Sequence, residues 1–335
     1  MKKIIAVLVM MTAFLFFSVN VSAKEVKNIC VFGDSIPAGY GLENPSENFV
    51  NMLGAEYGDV KNFAVVGSES GQILERIENT DRDILKNADT VIISAGGNDI
   101  MNVYGLKLLE SAEKYRAEME SMGIVLNYSE PVNIIGQITA LLFYPEKADM
   151  ILKIFDECMT ESAKADYKKA VSDFGENMRE MVRHIKSTGS QADIYFFALY
   201  NPISVFSAET DFFNSLDESI EAMREDVLLL AEGDGKFHAV DVFGHFRGHY
   251  AEWTNIYKFD IHPNKAGHQQ LYELTEKALE ADEKEEIESS LDIYDVSHET
   301  EIPESNDYIV WLILGGIVAV AVTGAVIIAV AKNSE

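Results

Sequence analysis

A chain of 335 residues with 55 acidic against 27 basic side chains carries a formal charge of −28. Such a field repels phosphate backbones, anionic polymers and anionic lipid surfaces, and no local basic patch interrupts it, so nucleic acid is excluded as a partner. The two cysteines, Cys30 and Cys158, lack the C-x-x-C spacing of a metal or redox site and fall in apolar patterns, where buried thiols are expected rather than a bridge.

At the N-terminus, Lys2-Lys3 precede an uncharged apolar run from Ile4 to Phe17, and small residues follow at Val21-Ser22-Ala23. This reads as a secretory signal peptide over residues 1–23, against the alternative of a buried core helix. Strand-like and helix-like segments then alternate. Strands are expected at Asn28 to Phe32, Val60 to Val66, Thr90 to Ala95, Ile194 to Leu199 and His238 to Val242. Helices are expected at Glu47 to Tyr57, Gly71 to Glu78, Ala163 to Ser187, Leu216 to Glu232 and Lys265 to Leu279. The alternation predicts an α/β fold around a mainly parallel five-stranded sheet, in one domain spanning residues 24–280.

The crossover from Ala95 to Ile194 is far longer than such connections usually are. Leu106 to Gly123 looks helical within it, and Ile134 to Tyr144 is strongly apolar. A helical cap over residues 100–162 is therefore expected beside the C-terminal edge of the sheet. Its apolar residues read either as a satellite core or as a substrate wall, in which Ile138, Leu141, Leu142 and Phe143 would line an acyl-binding groove.

After Leu279 the composition turns acidic, and residues 281–307 read as an extended stalk that cannot bury enough apolar surface to fold. Ile309 to Ala331 then runs without a charge. At helical rise that length crosses a hydrocarbon core of about 30 Å, and Trp311 sits where an interfacial aromatic belongs. A single transmembrane helix over residues 308–331 is expected, with a cytoplasmic tail at 332–335 and the body outside the cell. A core helix and a removed lipid-anchor signal are the alternatives, the second disfavoured by Lys332 beyond the apolar run.

The chemistry-bearing residues sit at the ends of the predicted strands. Val31-Phe32-Gly33-Asp34-Ser35 stops an apolar run at a Gly-Asp-Ser turn, and Asp260-Ile261-His262-Pro263-Asn264 arrives late in the chain. A serine hydroxyl at a strand tip becomes a nucleophile once a histidine removes its proton. Alone, a Gly-Asp-Ser turn is a common helix cap. Gly67 closes the second strand with a backbone N–H free of an intervening side chain, and Gly96-Gly97-Asn98-Asp99 closes the third, where the Asn98 amide can face a developing oxyanion. Asp34 and Asp99 read as turn organisers rather than as a catalytic carboxylate pair. His245 and His249 stand four apart, but Gly244 and Gly248 make a helix there unlikely and favour a solvated loop over a metal site. Gly39-Tyr40-Gly41 lacks the further glycine spacing and the later acid of a dinucleotide fingerprint.

In combination these segments resemble the SGNH hydrolases, also called the GDSL lipase and esterase superfamily. The matching segments run in the family's order: Phe32 to Ser35, Gly67, Gly96 to Asp99, and Asp260 to Asn264. The resemblance spans about Asn28 to Leu279 apart from the insert. It implies a flavodoxin-like three-layer α/β/α fold, no metal or organic cofactor, Ser35 as nucleophile and His262 as base. It also implies an oxyanion hole of the Ser35 and Gly67 N–H groups with the Asn98 side chain. Asp260 would orient the imidazole, although the commonest family pattern places the acid three residues before the histidine rather than two. A backbone carbonyl or another carboxylate such as Glu252 is the alternative acceptor.

The expected protein is an extracellular, membrane-anchored serine esterase or lipase-like enzyme acting on a small-molecule, lipid or glycan ester through an acyl-enzyme intermediate. A carbohydrate O-acetylesterase, an acyltransferase on the same site and a non-catalytic surface binding module are the alternatives.

Overall fold

The computed structural model describes residues 27–126, 135, 137, 138, 141, 144–201, 204, 210–258 and 260–280. The signal peptide, stalk, transmembrane helix and tail read from the sequence all lie outside these, as do Leu142 and Phe143. Among the described residues no helix is long and apolar enough to cross a membrane.

In chain order the elements begin with strand β1 (Ile29–Gly33), helix α1 (Ser35–Ala38), α2 (Phe49–Tyr57), β2 (Val60–Asn62), α3 (Ser70–Glu78), α4 (Arg82–Lys86) and β3 (Thr90–Ser94). The long crossover supplies α5 (Gly97–Lys114), α6 (Arg116–Ser121), α7 (Pro145–Glu157) and α8 (Glu161–Ser187). Then follow β4 (Asp193–Ala198), α9 (Asp211–Gly233), β5 (Phe237–Asp241), α10 (Val242–Phe246), α11 (Tyr250–Trp253) and α12 (Lys265–Glu280).

The five strands pair in the order β2-β1-β3-β4-β5, every described pairing parallel. Side chains alternate across a strand, and here the alternation divides two cores. From β1, Cys30 and Phe32 enter the larger core while Ile29 and Val31 enter the smaller one; from β4, Phe196 and Phe197 divide the same way. Helices α3, α5, α8 and α9 cover one face; α2 and α12 cover the other. The three central strands β1, β3 and β4, buried on both faces, read as continuous apolar runs, whereas the edge strands β2 and β5 are partly exposed.

Three expectations need correction. The second strand ends at Asn62 rather than Val66, although Phe63 and Val65 N–H groups still bond the Val31 and Gly33 carbonyls at 2.7 and 3.0 Å. Helix α5 begins at Gly97, well before Leu106, because Gly96 at φ 107° turns the chain sharply and Asp99 supplies an acid to the first turn. Helix α9 begins at Asp211 rather than Leu216, capped by the Thr210 hydroxyl, which accepts from Phe213 N–H. Helix α7 lies within the expected helical cap over residues 100–162, and Pro145 opens it in the first turn, where a missing N–H is harmless.

The insert does not stand apart from the body. Met150, Ile151, Ile154 and Phe155 of α7, with Ile135 and Ile138 just before it, join the same apolar core as β1, β3 and β4. Cys30 and Cys158 are free and buried, as the apolar patterns predict.

Candidate active site

Three consecutive neighbours in the sheet, β2, β1 and β3, end on one edge, where Gly67 lies in the loop after β2, and Ser35 and Asn98 lie at the starts of α1 and α5. The sheet order reverses direction between β1 and β3, and in open parallel sheets that switch point at the C-terminal edge is where ligands bind.

Ser35 opens α1 and is nearly buried. Gly33 has to be glycine, since a Cβ there would stand 2.6 Å from Pro37 Cγ and 2.7 Å from the Ser94 carbonyl oxygen. Asp34 caps α1 by accepting from Ile36 N–H at 3.0 Å. Pro37, lacking an N–H of its own, still offers a carbonyl, and Asn48 and Asn62 both donate to it at 2.9 and 2.8 Å. The serine is thus held from α2 and from the end of β2.

His262 reaches the same point from the far end of the chain. Its Nε2 lies 2.9 Å from Ser35 Oγ, and its Nδ1 lies 2.5 Å from Asp260 Oδ1. The same carboxylate oxygen also accepts from the His262 backbone N–H at 3.0 Å. A two-residue spacing therefore suffices, because the chain folds back on itself and lets one oxygen take both N–H groups. Glu252, the alternative acceptor, instead faces His249 at 3.4 Å. Burial alone would raise the Asp260 carboxyl, but its bonds to the His262 ring and backbone outweigh that and hold it below the ordinary value. An ionised carboxylate only accepts, so Nδ1 carries the proton and Nε2 presents its lone pair to the serine hydroxyl.

The histidine loop is tied down by polar contacts. Asn255 N–H donates to the His262 carbonyl at 2.9 Å and Tyr200 OH to the Ile261 carbonyl at 2.8 Å. The Asn264 amide spans the Glu252 and Thr254 carbonyls at 2.8 and 3.0 Å. Gly267 allows the last helix to approach, since a Cβ there would collide with the Trp253 carbonyl.

At the expected oxyanion position, Gly67 adopts φ 80°, a conformation that glycine takes without strain. Asn98 Nδ2 donates one hydrogen to the Ser68 carbonyl at 3.0 Å, which aims the amide and leaves its second hydrogen for another acceptor. Asp99 accepts from Ser70 N–H at 2.9 Å and from the Ser70 hydroxyl, and Asn102 donates to Glu69 at 2.7 Å. The start of α5 therefore grips three successive residues after Gly67: Ser68 and Glu69 of the loop and Ser70 at the start of α3. Asp34 organises its own turn, as expected, whereas Asp99 instead ties α5 to Ser70 at the start of α3. Burial pushes the Asp34 carboxyl up to about 6 and raises Asp99 as well.

The remaining histidines do other things. His245 bonds Gln270 at 3.0 Å, and His245 and His249 both stack on Trp253. Contrary to expectation a short helix does run through Gly244: the missing Cβ makes room for the Asp241 carboxylate that caps it, and Gly248 at φ 82° follows its end. Among the described residues no group of three potential ligands could hold a metal ion. His268 lies in α12 and is fully buried.

Sequence reasoning missed Asn48, Asn62, Tyr40 and Tyr200. The first two carry no motif. Tyr40, only five residues past Ser35, was within reach as a motif neighbour; its ring centroid lies 4.6 Å from that of His262. Of the expected substrate wall, Ile138 is buried in the main core and Leu141 packs partly buried against it.

A serine, histidine and carboxylate joined in series at the C-terminal edge of a parallel sheet, beside a loop of oriented amide donors, define an acyl-hydrolase type of site. The chain belongs to the GDSL-like lipase/acylhydrolase family, whose model matches residues 31–270, and with it to the ester-bond hydrolases. Among solved structures it is similar to a lipase from a goat rumen metagenome, at 18% identity and TM-score 0.49 over 76% of this chain and 97% of that one. It is also similar to a lipase/acylhydrolase from Enterococcus faecalis, at 15% identity and TM-score 0.43 over 76% and 95%. A third is a lipolytic protein of the G-D-S-L family from Veillonella parvula, at 12% identity and TM-score 0.44 over 75% and 96%. No curated protein matches the sequence.

Proposed function

We propose that the protein is a serine esterase that cleaves carboxylic esters through an acyl-enzyme, with Ser35, His262 and Asp260 as the catalytic triad. The observation that carries the reading is the unbroken series from Asp260 Oδ1 through both imidazole nitrogens to Ser35 Oγ. His262 Nε2 takes the hydroxyl proton as Oγ bonds to the ester carbonyl carbon, and the carbonyl electron pair moves onto oxygen. The Ser35 and Gly67 N–H groups and the Asn98 amide receive that oxyanion. Collapse expels the alcohol, which takes the proton back from His262. Water, activated by the same imidazole, then releases the acid and frees the serine.

In this proposal residues 1–23 direct export and residues 308–331 anchor the enzyme, with its catalytic body held outside the cell on the 281–307 stalk. The substrate is a small-molecule, lipid or glycan ester, and Leu141, Leu142 and Phe143 form one wall of its acyl site. Fluorophosphonate labelling tests the reaction class: the probe should modify the wild-type chain and leave Ser35→Ala untouched. A folded wild type that resists the probe at neutral pH would make the protein a binding module instead.

A further inference from the structure

The Gly39-Tyr40-Gly41 turn has no part in the mechanism above, yet it wraps the triad. Tyr40 N–H bonds the Ser35 carbonyl at 3.0 Å, closing α1, and the flanking glycines take φ 75° and 85°. At Gly41 the backbone comes so near that a Cβ would stand 3.2 Å from Asp260 Oδ2 and 3.8 Å from His262 Cβ. Between them Tyr40 stays half exposed, its ring tilted 53° to the imidazole with centroids 4.6 Å apart. A large aromatic side chain left half in solvent while leaning on a polar ring gains less from burial than one in the core, so its placement calls for another reason.

We infer that Tyr40 is a positioning residue for His262: its ring face stabilises the imidazolium that forms while the histidine holds the serine proton, and it fixes the ring on the line between Ser35 and Asp260. This rests on the proposed role of His262 as base. The physical ground is the negative face of an aromatic ring, which attracts a cation within about 6 Å of its centroid by roughly half to one kcal/mol at an exposed site. The attraction is absent for the neutral imidazole. It is therefore stronger in the transition state than in the ground state, which is the condition for raising a rate.

The other groups around the imidazole act on its charge too. Asp260 sits on Nδ1 and favours the cation, and the buried Asp34 carboxyl favours it when ionised. His268, from α12, opposes it when protonated, and the Tyr200 hydroxyl is committed to the Ile261 carbonyl. None of these lies in the turn, so substitution of Tyr40 changes the aromatic contribution without removing them.

The test follows the imidazole by NMR in the full chain. His262 is assigned among the seven histidines by comparison with His262→Asn, alongside kcat/KM against pH for a soluble ester. Tyr40→Leu should lower the His262 midpoint by about half a unit and kcat/KM by roughly threefold. Tyr40→Phe, which keeps the ring face, should retain the wild-type midpoint. A midpoint that stays or rises in Tyr40→Leu overturns the inference, and so does Tyr40→Phe behaving like Tyr40→Leu. Should the wild type hydrolyse no ester, the proposed function fails while the titration still decides whether Tyr40 stabilises the charged ring.

Discussion

His268 offers a stability test whose size follows from its surroundings. The ring is fully buried, stacks beside Phe49 with centroids 6.0 Å apart and accepts the Phe49 N–H on Nδ1 at 3.4 Å, while its Nε2 finds no hydrogen-bond partner among the described residues. Burial lowers its pKa from 6.5 to about 4. The unfolded chain therefore takes up a proton near pH 6.5 that the folded chain refuses until about pH 4, so stability is lost as pH falls through that interval. At roughly 1.4 kcal/mol per unit, a drop from pH 7.5 to 4.5 costs the fold about 2–3 kcal/mol through this one side chain. His268→Asn keeps an acceptor for the Phe49 N–H and removes the titration. Urea unfolding of both proteins across that range should show the wild type losing about 2–3 kcal/mol relative to the variant as the solution is acidified. A difference that does not change with pH would refute the reasoning, whatever its absolute size.

Two further predictions concern the reaction. Asp260→Asn should lower kcat for a p-nitrophenyl ester by about 10⁴, as loss of the carboxylate does in the serine-protease triad; a loss under tenfold would mean that another group orients the imidazole. Asn98→Ala should cost about 10² to 10³ in kcat with little change in KM, since the amide would act on the oxyanion rather than on the bound ester, and equal changes in both constants would remove Asn98 from the oxyanion hole.

The sheet was legible because β1, β3 and β4 are short, apolar and closed by a glycine or polar turn; all five expected strands form, though β2 keeps only Val60–Asn62 at the start of its expected span. What escaped was where helices begin. The start of α5 depends on Gly96 at φ 107°, where a Cβ would stand 2.7 Å from Met223 Cε and 2.8 Å from Phe174 Cε2. That constraint comes from helices far along the chain, and no local pattern carries it. The site shows the same division. Ser35, Gly67, Asn98, Asp260 and His262 could be named because they terminate recognisable segments. Asn48 and Asn62 could not, since their role is to bond a carbonyl that becomes available only when α1 is docked.

The two halves of the site are held by different means, and this sets what each tolerates. Ser35, Gly67 and Asn98 follow three adjacent strands, so their mutual spacing is inherited from the sheet, where neighbours lie about 4.8 Å apart. Changes of length elsewhere in the crossovers leave that spacing alone. His262 has no strand to fix it. Its loop depends on Asn255, Asn264, Tyr200 and the bridge between Thr254 and Pro263. A substitution that loosens these bonds shifts the imidazole alone, and Ser35 then keeps the proposed oxyanion donors while losing the proposed base.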